Sequence, residues 1–100
     1  MSYDPGGLDA ALAAAVGDDA ALVADLRLAF LESAERQVDL LQRARCDANW
    51  QLAAWRLKGL AASFGMSGLM LLADEAATAA PGDPRVVRRL QAALAGFSQG

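Results

Sequence analysis

The chain has 100 residues, just over half of them apolar, with a formal net charge of −3, one cysteine and no histidine. That length suits one domain with one core; a lone thiol without an imidazole excludes an internal disulfide and a Cys/His zinc site, and the acidic balance opposes nucleic-acid binding. No apolar run approaches the roughly 20 residues of a membrane span and no basic region followed by an apolar stretch opens the chain, so a soluble, cytoplasmic protein is expected, with no cofactor.

Alanine and leucine dominate and no stretch of alternating β-branched residues occurs, which points to an all-α chain. Residues 1–7 contain glycine and proline and are expected to form a mobile tail before a domain spanning 8–98. Leu8 to Val16 suits a short helix, closed by Gly17 as a left-handed cap. Asp18 or Asp19 is expected to cap the second helix, whose apolar stripe is Leu22, Leu26, Phe30, Ala34, Val38 and Leu41, ending near Ala44. Asp47 is the expected cap of a third helix that ends near Gly65. Cys46, just before it, has the character of a small residue at a helix end.

Ser67 can start a fourth helix carrying Leu69, Leu72, Ala73 and Ala76, and Pro81-Gly82 breaks it. Asp83 followed by Pro84 is a strong start signal, because proline at the first helical position loses no needed N–H while the carboxylate accepts one from the first turn. The last helix then runs from Arg85 to about Phe97, with Val86, Leu90, Leu94 and Phe97 on one face. Its basic cluster, Arg85, Arg88 and Arg89, has the character of a solvated face. One short helix and four longer ones joined by brief loops fit an antiparallel up-down bundle.

The third helix carries the most information. At about 100° per residue from Gln51, Ala53, Leu57, Leu60 and Phe64 fall between roughly 180° and 240° and form the expected core stripe. Trp50, near 260°, belongs with the core or its rim. Gln51, Trp55, Lys58, Gly59 and Ala62 cluster within about 80° of zero, so a large indole is expected on the solvent side. Leu52 and Ser63 flank this strip, and Arg56, near 140°, points sideways.

A glycine inside a helix costs roughly 1 kcal/mol relative to alanine, and Gly59 therefore wants a reason. Either another backbone of the same domain packs against it, or an outside surface approaches where a side chain would obstruct. Its place one turn after Trp55 on the same face favours the second. A bulky ring bordered by low ground and a cation has the shape of a docking surface, although Trp55 folded over a neighbouring helix would merely complete the core.

The tract Ala53-Ala54-Trp55-Arg56-Leu57-Lys58-Gly59-Leu60-Ala61-Ala62-Ser63-Phe64-Gly65 resembles the signature of the histidine-phosphotransfer (HPt) family, with tryptophan where the phosphoryl-accepting histidine stands. Ala54, Leu57, Lys58, Gly59, Gly65, Leu69 and Leu72 agree with the family pattern. The resemblance implies a four-helix bundle with a short extra N-terminal helix and a receiver domain or hybrid histidine kinase as partner. It also gives Lys58 and Gly59 docking positions. It does not pass the acceptor role to Trp55, because an indole nitrogen has no free lone pair and donates only an N–H.

The expected function is therefore a non-catalytic HPt-like module that docks a phosphorelay partner without accepting phosphate. Trp55, Lys58, Gly59, Gln51, Ala62 and Arg56 are its expected contact residues, with no catalytic residue and no metal. The alternative is an interaction protein that forms a homodimer, or binds another partner, through the Trp55 face.

Overall fold

A computed structural model of the chain describes residues 5–17 and 19–99. These residues form five α-helices in the order α1 (Pro5–Val16), α2 (Ala20–Arg43), α3 (Asp47–Ser63), α4 (Ser67–Thr78) and α5 (Pro84–Gln99). The first helix begins at Pro5 rather than Leu8, so residues 5–7 of the expected tail are helical. The rest of that tail, residues 1–4, and the alternative cap Asp18 lie outside the described residues.

Local chemistry sets most boundaries. Gly17, at φ +83°, closes α1 by donating its N–H to the Ala13 carbonyl at 2.7 Å. Asp19 caps α2, its carboxylate accepting the Leu22 N–H at 3.1 Å. At the end of α3, Met66 N–H bonds to the Ala61 carbonyl at 2.9 Å and Gly65 N–H to that of Ala62 at 3.1 Å. With Gly65 at φ +66°, this pair is a Schellman closure, which needs a residue that tolerates the left-handed region. The start of α5 is as expected: Asp83 accepts the Arg85 N–H at 2.9 Å and Pro84 is the first helical residue.

The start of α3 differs from expectation. Asp47 is its first helical residue rather than its cap; Cys46 holds the cap position in extended geometry and makes no side-chain capping bond. The Asp47 carboxylate sits in the first turn, where the helix dipole favours negative charge.

Each apolar stripe meets another helix. α2 packs on α3, α3 on α4, α4 on α5 and α5 back on α2, while α1 packs on α2 and α5. The shared core contains Leu8 and Leu12 of α1, Phe30, Ala34, Val38 and Leu41 of α2, Trp50 and Leu57 of α3, Leu69 and Leu72 of α4, and Val86, Leu90, Leu94 and Phe97 of α5. Phe30 meets Phe64 edge-on at 4.9 Å between ring centres and Phe97 at 6.5 Å, tying α2 to the end of α3 and to α5.

Two expected stripes need adjustment. Leu22 is 41% exposed, because in the first turn of α2 the adjacent Val23 is the residue that packs against the core. On α3 the buried side chains are Trp50, Ala53, Ala54, Leu57 and Ala61, while Leu60 and Phe64 are only partly buried. The stripe is rotated toward α4, which lies against the small Ala54 and Ala61.

Candidate functional site

The rotation of α3 leaves its outer face centred on Trp55 and Gly59. Trp55 is 60% exposed, whereas Trp50, five positions earlier, is fully buried. Core packing therefore accounts for Trp50 and not for Trp55. Gln51, Arg56, Gly59 and Ala62 are exposed around it, and Lys58 is half-buried. The six residues singled out from the sequence thus occupy the outer surface and flanks of one helix.

Gly59 stands in open space. A Cβ built on it would meet no atom of the described residues within 4 Å. Of the two reasons for a glycine at this point, close approach of another backbone is removed among the described residues. The Ser63 hydroxyl, one turn later, donates to the Gly59 carbonyl at 2.9 Å, so that hydroxyl is engaged by its own helix.

Lys58 does not extend freely from the face. Its ammonium lies 2.8 Å from the Asp74 carboxylate of α4, both side chains being about half exposed. The pair links the flank of the Trp55 face to α4 and partly neutralises the cation there. Nothing in the periodicity of α3 signals this contact, because Asp74 is brought in by tertiary packing.

Three further side chains widen the surface. Leu52 on α3 is 44% exposed, Leu40 on α2 37%, and Leu71 on α4 51%. Leu71 lies one turn before Asp74 on α4, on the side that reaches Lys58. Leu40, Leu52 and Ala53 share a groove between α2 and α3 with Arg56. Leu52 lies three residues before Trp55 on the same helix, while Leu40 and Leu71 are exposed on the two helices that pack against α3. Isolated surface leucines need no explanation; an exposed tryptophan does, because tryptophan is enriched among the residues that dominate protein interfaces.

No protein family, curated protein or solved structure matches this chain. The site is therefore characterised by its own geometry. Among the described residues no group of three His, Cys, Asp or Glu side chains could hold a metal ion, and no helix is long and apolar enough to cross a membrane.

A sequence signal for the two missed leucines exists. Leu71 lies in the run Leu69-Met70-Leu71-Leu72 and Leu40 in the pair Leu40-Leu41. A helix can turn only part of such a run toward one core, so the remainder must face outward.

Proposed function

We propose that this chain is a non-catalytic, HPt-like docking module, an antiparallel up-down four-helix bundle of α2 to α5 with α1 as the short extra helix. It engages a receiver domain or histidine kinase of a phosphorelay through the Trp55 face and modulates that partner by occupancy. Short connections and the ring of helix contacts support the architecture. The observation that carries the function is Gly59: a helix-interior glycine with open space above it, beside an exposed indole. Its helical cost has no return inside the domain and is offset if a partner backbone comes close there.

The mechanism is binding without transfer. With no histidine in the chain, no imidazole can accept a phosphoryl group, and Trp55 offers only an N–H donor and an aromatic surface. An aromatic side chain buried at the centre of an interface contributes about 2 kcal/mol or more. Trp55, Gly59 and Ala62 give the contact its shape, while Gln51, Lys58 and Arg56 give it a polar edge suited to a cleft lined by carboxylates.

The test is titration against a panel of receiver domains from the same organism, followed by tryptophan fluorescence. Saturable binding to a receiver, abolished in Trp55→Ala, is the expected result. Absence of binding to every receiver, phosphorylated or not, overturns the reading. A concentration-dependent dimer that dissociates in Trp55→Ala would instead assign the face to a second copy of the chain.

A further inference from the structure

Charge changes sign across α2. On its α5 side a groove is lined by Glu35 and Asp39 with Val38 and Leu94. On its α3 side a groove of about 400 Å³ has Leu40, Leu52 and Ala53 as apolar lining, Arg43 and Arg56 as cations, Asn49 as a neutral polar group, and no carboxylate among the described residues that line it. In a chain of net charge −3, an apolar groove with two guanidinium groups and no acid is a selective feature. Arg43 is held 2.9 Å from Asp39 by an i,i+4 pair on α2. Arg56 has no ion-pair partner among the described residues.

We propose that the α2–α3 groove is a second recognition element, separate from the indole, and that its occupant is an acidic amphipathic helix of a partner protein. An apolar side chain of that helix would sit over Leu40 and Leu52. Carboxylates one turn away on the same face would meet Arg56 and the outer edge of Arg43. At about 400 Å³ the groove has room for the apolar side chains of a helix turn. Arginine suits this task because its planar fork bonds carboxylates in a fixed geometry. Glu35 on the α5 side of the same helix disfavours such a partner there. This element shares Arg56 with the receiver-docking proposal and extends it, because a groove-bound helix does not require contact with Trp55.

The probe is a synthetic helical peptide with leucines at i and i+4 flanked by glutamates, and a control in which lysines replace the glutamates. Amide chemical shifts of the labelled protein are followed during titration. The glutamate peptide is expected to shift Leu40, Ala44, Leu52 and Arg56, and to bind about tenfold more weakly to Arg56→Glu and at high salt. Leu52→Ser, at an exposed position, should also weaken it while leaving the rest of the spectrum in place. Trp55→Ala should leave it unchanged, which separates failure of this inference from failure of receiver docking. Equal binding of the two peptides, no binding, shifts confined to other surfaces, or stronger shifts of the same amides by inorganic phosphate or a DNA duplex would each overturn the proposal.

Discussion

The indole Nε1–H of Trp50 donates to the backbone carbonyl of Ala76 at 2.6 Å across the buried α3–α4 interface. Ala76 lies in the last turn of α4, where carbonyls have lost their intrahelical donors. The bond therefore closes α4 from a neighbouring helix, sharing the carbonyl with the Ala79 N–H at 3.2 Å. Trp50→Phe removes the donor and leaves a void, so it should destabilise the fold by roughly 1–3 kcal/mol. Thermal or urea unfolding measures this. The same variant leaves Trp55 as the sole indole, and its emission should move to longer wavelength and become fully quenchable by iodide. Retained blue emission would place Trp55 in the core instead.

The Lys58–Asp74 pair invites a different expectation. Both side chains are about half exposed, and pairs in that setting contribute about 0–1 kcal/mol after screening and side-chain entropy. Asp74→Asn should thus barely move the unfolding midpoint. It releases the ammonium beside the Trp55 face, and if the proposed receiver docks there, association with its acidic cleft should become faster, with a steeper salt dependence. A large loss of stability with no change in association rate would make the pair a structural tie rather than a control on docking charge.

Asp83 contributes to stability toward acid. The backbone N–H of Arg85, and then its side chain, hydrogen-bond the Asp83 carboxylate and hold its pKa below the ordinary aspartate value. A carboxylate depressed on folding contributes stability that is present above its unfolded pKa and is lost as pH falls through the folded one. The contribution of Asp83 should accordingly fade as pH drops below about 4. Asp83→Asn keeps an oxygen for the cap but cannot titrate, so its unfolding midpoint should fall less steeply over that range than that of the wild type. Identical acid limbs would remove Asp83 from the account.

These expectations draw on features of unequal legibility. The last helix was fully readable, because Asp83-Pro84 marks its start and Val86, Leu90, Leu94 and Phe97 recur at helical spacing on the buried face. The outward direction of Trp55 was readable from the same periodicity. The rotation of α3 was not, since a wheel weighted by side-chain size favours Leu60 and Phe64, while helix packing selects the small Ala54 and Ala61 for close approach. The Lys58–Asp74 contact was invisible, because Asp74 arrives from another helix, whereas Leu40 and Leu71 were signalled only as facing outward. Cys46 stands at the helix end as expected, but the cap role given to Asp47 was one residue out: an aspartate at a helix start is equally favourable one residue later, where it meets the dipole rather than a single N–H.

Gly59 offers the sharpest test because two readouts should move in opposite senses. It lies inside α3, its φ is negative, and a Cβ there meets nothing within 4 Å. Gly59→Ala therefore reduces unfolded-state entropy without a clash and should stabilise the protein by about 0.5–1 kcal/mol. In a domain of this size that corresponds to a midpoint rise of about 4–8 °C per kcal/mol. If a partner backbone approaches the face, the added methyl stands in its path, and affinity for the receiver should fall even as the fold becomes more stable. Calorimetry and fluorescence titration on the same preparation measure both. A stabilised variant with undiminished binding would show that the glycine is not kept for close approach, whereas a stabilised variant that binds weakly would tie its helical cost to the docking face.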